Sequence, residues 1–365
     1  ALDDAAALKK RERPVGLVVG TPHADKVSVR LDGKGRTLHF PPSQLVKYPT
    51  LSSKGVSLAC LRSFRAAHKH LISGLSTDAV LQHLLVPIAE RCQSSLAEAI
   101  QLSGALATDA ERDDLVGEAD VYVSFAGGTN FEALIDGLEE FEASRKADEE
   151  RRTFYWFSPF SYDPACDRLE TMPSLWIQNV LTRHIDAIGH TCLVVSAWKE
   201  PLALSRPWCF LEMVATAASG ARLSVQMVPD DAPSFVHALQ YQPDQVSQAI
   251  QRWCLDTKHA HFYSAAHRQA VAEAVNSLKR FAELDTIIAQ QLREWAYREA
   301  EQAIHSVPAE QRASWQLLQQ LAVLLMQQGV YSKAEPLLDE SATHCHRQLG
   351  RHHDLTMRTD ELRAR

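Results

Sequence analysis

The sequence predicts an α/β protein: a parallel-sheet domain with helices on both faces, a small β module before it and a helical region after it. Three observations carry this. Between about 118 and 230, the apolar runs VYVSF, TFYWFSPF, TCLVV and RLSVQMV are separated by stretches with helical spacing. That alternation is the pattern of strand–helix units in a parallel sheet. Ahead of them, Val27, Val29 and Leu31 alternate with Lys26, Ser28 and Arg30, which gives a strand one buried face. From 232 onward the apolar residues recur three and four apart, as in helices with one buried face.

Composition sets the outer bounds. The chain has 365 residues, enough for two or three domains with a sizeable core. Its 45% hydrophobic and 23% charged residues are ordinary for a globular protein. A net charge of −7 argues against a general nucleic-acid binder. No apolar run is long enough to span a bilayer. The 7 cysteines are scattered without a CxxC pair, which points to buried thiols in a reducing intracellular compartment, cytoplasm or organelle, and not to a disulfide framework or zinc site.

The elements follow in order. VGLVVG, KVSVRL and RTLHF are short strands joined by turn sequences, and residues 14–48 resemble a small SH3-like barrel. Residues 50–117 are expected as a helical linker. It carries a basic cluster, Arg62, Arg65, His68, Lys69 and His70, expected on a solvated helix face, and Pro87 should split its apolar helix. Strand 119–125 leads through the Gly127-Gly128 loop into a helix that buries Phe131, Leu134, Ile135, Leu138 and Phe141. A strand over 153–160 precedes a helix over 173–189 with Trp176, Val180, Leu181, Ile185 and Ile188 inward. Cys192 to Val195 form a strand covered on both faces. Ser205 is placed to cap the next helix, Pro207 to begin it and Gly220 to end it. Residues 231–310 form a helical extension, with Ile287, Ile288, Leu292 and Trp295 along one helix. Within 311–365, Leu321, Ala322, Leu325, Gly329, Tyr331, Ala334 and Leu338 have the spacing of a two-helix repeat. One repeat cannot bury its own faces and should pack on the helices before it.

Two motifs carry a family resemblance. VYVSFAGGTNFEALIDGLEEF resembles the first strand, loop and helix of a Toll/interleukin-receptor (TIR) domain. LVVSAW followed by SRPWCFLEM resembles that family's third strand and Trp-Cys-x-x-Glu helix, here Trp208-Cys209-Phe210-Leu211-Glu212. The resemblance covers about residues 118–230 and implies a TIR/flavodoxin-like parallel sheet. The arrangement is closest to TIR-like cassettes of the algal and protist type. It departs at Ala126, where plant members commonly carry Arg, and in the longer segment between Trp198 and Trp208. Residues 311–365 resemble the tetratricopeptide repeat of kinesin light chains.

Glu212 is the residue to explain, because it is the one charged side chain between Arg206 and Arg222. A lone carboxylate in an apolar helix needs a partner, solvent or a task. The resemblance implies a task, since the matching glutamate of enzymatic members supports cleavage of the nicotinamide–ribose bond of NAD. The alternative is an ion pair, with Arg206 or with an arginine of the helical extension. Gly127, Gly128, Ser196 and Trp208 are the candidate nucleotide contacts. Lys199 and Arg206 flank a helix N-terminus suited to anions. His344, Cys345, His346, His352 and His353 are dense in ligating atoms, but their spacing matches no zinc pattern, and no metal is expected.

Two functions follow as expectations. One is an interaction scaffold that binds protein partners through the SH3-like and tetratricopeptide-like regions and self-associates through the TIR-like domain, with no cofactor. The other is an NAD-cleaving signalling enzyme using Glu212, with NAD as substrate. A Glu212 that lines an open cavity near Gly127 and Ser196 would favour the enzyme; an occluded or ion-paired Glu212 would favour the scaffold.

Overall fold

In the computed structural model, the described residues are 16–23, 26–31, 37–40, 51–102, 113–145, 152–162, 174–253, 281–306, 316–327 and 329–364. Three strands, β1 (Gly16–His23), β2 (Lys26–Leu31) and β3 (Thr37–Phe40), form an antiparallel meander at the N-terminus. Six more form the central sheet: β4 (Lys54–Ser57), β5 (Val116–Glu118), β6 (Val121–Phe125), β7 (Phe154–Trp156), β8 (His190–Val195) and β9 (Arg222–Met227). Their spatial order is β5-β4-β7-β6-β8-β9. β7, β6, β8 and β9 are mutually parallel, with Tyr122 opposite Thr191 and Cys192 opposite Ser224. The chain therefore leaves β6 towards one side for β7 and crosses to the other for β8. That makes the carboxyl end of β6 the switch point where ligands of such sheets collect.

The linker expectation for 50–117 changes here. Residues 54–57 and 116–118 are strands, antiparallel to each other and, through β4, to β7. They extend the sheet past the parallel strands. The helix α1 (Leu58–Ile72) starts straight from β4, capped by Ser57 Oγ accepting from Cys60 N at 3.3 Å. Its basic cluster is not simply solvated: Arg62 and Arg65 pair with Asp136 and Glu139 of α5 (Phe131–Arg145). The helix expected around Pro87 is divided as predicted. A short α2 (Thr77–Val80) runs into a π-helical turn, Leu81–Leu85, before α3 (Val86–Cys92) and α4 (Leu96–Leu102). Pro87 has no N–H to return to the carbonyl four residues back, and the wider turn falls where that bond is missing.

Period-two alternation sorts the sheet's side chains. Val121, Val123, Cys192 and Val194 join α1 and α5 on one face, where all five predicted residues of α5 are buried. Tyr122, Leu193 and Val195 join α7 (Ser174–Ile188) and α9 (Pro207–Ser219) on the other. Leu181 and Ile185 of α7 are buried as expected; the side chain of Trp176 lies outside the described residues. The strand expected over 153–160 is shorter. It stops at Trp156, and α6 (Ser158–Ser161) turns away where Pro159 cannot pair.

The helical region is continuous with this second core. α10 (Asp231–Tyr241), α11 (Pro243–Gln251), α12 (Phe281–His305) and α13 (Gln316–Gln327) contribute Phe235, Val246, Trp295 and Leu321 to the same apolar cluster as Leu193. Gln291 of α12 closes the open edge of β9, accepting from Val225 N at 2.7 Å and donating to Leu223 O at 3.0 Å. An uncovered edge would otherwise invite another strand. α13 pairs with α14 (Tyr331–Gln348), which meets α15 (Asp354–Arg363), and α13 packs back on α10 and α12. Two expected core positions are instead exposed, Ile287 at 43% and Tyr331 at 62%. Each sits at the rim of an apolar stripe whose centre is filled by Ile288 and Leu292, or by Ala334 and Leu338. No described helix is long and apolar enough to cross a membrane.

Candidate functional site

Helix α9 begins after Pro201 has opened a separate turn, α8 (Leu202–Ser205). Ser205 is spent there, donating to Leu202 O at 3.1 Å. It does not cap α9. Arg206 holds the N-cap position, no side chain caps it, Pro207 follows in the first turn, and Gly220 ends the helix at φ 78°. Thr216 fixes the helix to the sheet through a 2.8 Å hydrogen bond with Thr191. This seating places Trp208 and Glu212, one turn apart, over the carboxyl-terminal half of β6.

Glu212 is held by two hydroxyls of that strand. Tyr122 donates to one carboxylate oxygen at 2.7 Å and Ser124 to the other at 2.5 Å. Tyr122 and Ser124 are two apart, so they project from the same face. The expected pair with Arg206 does not form; Arg206 lies 3.7 Å from Asp78. Among the described residues, Glu212 thus has hydroxyl donors but no counter-ion. Burial pushes its pKa up to about 7, against the two hydroxyl bonds, which favour the charged form. Burial, with the Glu212 charge beside it, drives the Tyr122 phenol well above its usual value, so it stays a donor. Cys209, in the same turn, is no nucleophile: burial raises its thiol pKa, and its S–H meets Phe125 O at 3.1 Å.

The carboxylate opens on a cavity of ≈ 320 Å³, within the range of small-molecule sites. Tyr122 and Trp156 form one wall as a near-parallel stack, centroids 4.7 Å apart at 10°. His184 of α7 packs edge-on behind both rings, and burial lowers its imidazole to about 4, so it is neutral. Trp208 and Arg206 stand on the α9 side, and Asp78 and Leu81 on the π-turn side.

The predicted contacts divide. Trp208, Gly127 and Glu212 line the cavity. Gly128 packs near Leu202, and Ser196 hydrogen-bonds Thr129 at 3.0 Å across the ends of β6 and β8; neither is on the cavity wall. Gly127 has a packing reason to be glycine, since a Cβ there would overlap the Asp78 carboxylate. Lys199 is exposed and lies 5.5 Å from the Trp198 ring. His346 pairs with Asp360 at 3.0 Å, and no metal-type grouping of three or more His, Cys, Asp or Glu occurs among the described residues. Five cysteines are described, and four of them are buried.

The sequence reading passed over Tyr122, Ser124, Trp156 and Asp78. The first two carried a signal: a hydroxyl at each of two same-face positions of an otherwise apolar strand. Trp156 and Asp78 reach the site through pairings that no local pattern announces. A scan against protein-family models and searches of curated proteins and of solved structures return no match.

Proposed function

We propose that the chain is a glycohydrolase acting on the nicotinamide–ribose bond of NAD, with Glu212 as the carboxylate at the reacting carbon. The observation that carries this is the position of Glu212: it faces an open, aromatic-walled cavity beside Gly127, hydroxyl-bonded and without the predicted arginine partner. The TIR resemblance of residues 118–230 agrees with it. In the reaction, the bond from ribose C1′ to the pyridinium nitrogen breaks with its electron pair on nitrogen, and neutral nicotinamide leaves. The cationic ribose is stabilised by the Glu212 carboxylate; water adds at C1′ and gives up a proton. A carboxyl with a pKa near 7 exchanges protons readily at neutral pH. The flat Tyr122–Trp156 stack and Trp208 offer faces to an aromatic ring.

The interaction reading applies to another part of the chain. The meander β1–β3 and the paired helices α13–α15 are proposed as docking modules of SH3-like and tetratricopeptide-like type, the latter with Tyr331 and Met357 exposed. The enzymatic proposal is tested by following NAD loss and nicotinamide release by chromatography, with purified protein at high concentration. Glu212→Gln should lower turnover by about a hundredfold or more, the scale of one lost transition-state contact. Equal turnover in both proteins, or no turnover in either, overturns it.

A further inference from the structure

Among the described residues, the cavity has one cationic side chain on its wall, Arg206, and that side chain is already engaged by an acid. Asp78 reaches it from α2, outside the parallel-strand segment. Its backbone N–H donates to Gly127 O at 2.9 Å, and its carboxylate lies against Gly127 so closely that no Cβ would fit. A negative group therefore sits over the glycine loop at the switch point, facing a guanidinium beside the first turn of a 13-residue helix that no side chain caps. Ligand phosphates occupy such a position in switch-point sheets.

We infer that Asp78 is an internal stand-in for a ligand phosphate, and that Arg206 is the residue by which the cavity selects phosphorylated nucleosides over neutral ones. This rests on the cavity being the ligand site proposed above. The Asp78–Arg206 contact suits a competitor that must leave. At 3.7 Å it is an ion pair without hydrogen-bond geometry, and the Asp78 side chain is 55% exposed, so solvent takes it up at small cost. A phosphate offers more: two or three acceptor oxygens that match the guanidinium fork. Its arrival would turn the Asp78 side chain outward while α2 keeps its anchors, Thr77 N to Thr129 O at 2.8 Å and the bridge between Ser76 and Asn130. Gly127 then serves the ligand indirectly, by leaving room for the carboxylate that holds the phosphate seat when the site is empty.

Binding, not turnover, tests this. The probes are benzamide riboside, whose carbon–carbon glycosidic bond cannot be hydrolysed, and its 5′-monophosphate, titrated calorimetrically into the full chain at constant ionic strength. The wild type should prefer the phosphate ester by about tenfold or more. Arg206→Gln should abolish that preference and leave riboside affinity within about threefold. Arg206→Lys should keep part of it, and a matching thermal unfolding midpoint shows that either variant is folded. Asp78→Asn should tighten the phosphate ester severalfold and leave the riboside unchanged. Riboside binding without a phosphate preference, a preference that survives Arg206→Gln, or no gain in Asp78→Asn overturns the inference and leaves the cavity reading intact. No binding of either probe to the wild type overturns both.

Discussion

Replacing Glu212 by Gln should change how stability depends on pH, and the size of the change follows from the site. Burial raises the carboxyl from 4.5 to about 7. The native state therefore binds a proton that the unfolded chain has released between those values. For a group with a raised native pKa, the stabilisation is fully present below 4.5 and is lost as pH rises through 7. At about 1.36 kcal/mol per unit, the whole loss is about 3 kcal/mol. About 2.5 kcal/mol of it falls between pH 5 and pH 8. Gln preserves the shape and still accepts from one hydroxyl, but it does not titrate.

Wild type and Glu212→Gln are compared by urea unfolding at pH 5, 6, 7 and 8, followed by tryptophan fluorescence. The difference between them is the measured quantity. His184 and His190, both lowered to about 4 by burial, push the other way, since their native forms bind fewer protons than the unfolded chain. They are common to both proteins and cancel. The wild type should lose about 2.5 kcal/mol relative to the variant from pH 5 to pH 8. Curves that stay parallel to within about 0.5 kcal/mol would show that the carboxylate is ionised throughout, as a paired structural glutamate would be. The proton-exchange part of the mechanism would then fall.

Two further substitutions test the framework of the site. Gly127→Ala should cost at most about 1 kcal/mol, because the carboxylate it would overlap, that of the half-exposed Asp78, can turn outward into solvent, and Asp78→Ala in the same chain should recover that in thermal unfolding. Additive losses would mean that the close contact is not the cause. Gly55→Ala places a Cβ 2.8 Å from the backbone carbonyl carbon of Tyr155, which cannot move aside as a flexible side chain could; it should cost about 2 kcal/mol or more and raise amide exchange in β4 and β7. Unchanged protection there would argue against β4 as a member of the sheet.

The parts of this fold that were legible in sequence are those whose signal is local. β8 is a run of apolar residues because both its faces are covered, and α9 declares its ends through Pro207 and Gly220. β4 and β5 were not legible. Lys54–Ser57 and Val116–Glu118 are three or four residues long and become strands by pairing with residues sixty or more positions away, as Val56 does with Val116. The same limit applies at the site. Glu212 was conspicuous as a carboxylate in an apolar helix, but its partners depend on which strand lies beneath it and which face of that strand is presented.

Arg206 shows what this means for the chemistry. Sequence proximity makes it the natural partner of Glu212, yet Arg206 meets Asp78 while Glu212 meets β6. The hydroxyls of β6 satisfy Glu212, so no guanidinium is needed to hold it in place. An arginine at hydrogen-bond distance would have fixed the carboxylate in its charged form, with a depressed pKa. Neutral donors leave it close to 7, and Arg206 stands apart from it at the cavity wall, 3.7 Å from Asp78. The site thus keeps its proton-exchanging group and its cation apart, one over the strand and one at the helix start. That separation suits the ligand proposed above, with a reactive glycosidic carbon at one end and an anionic tail at the other.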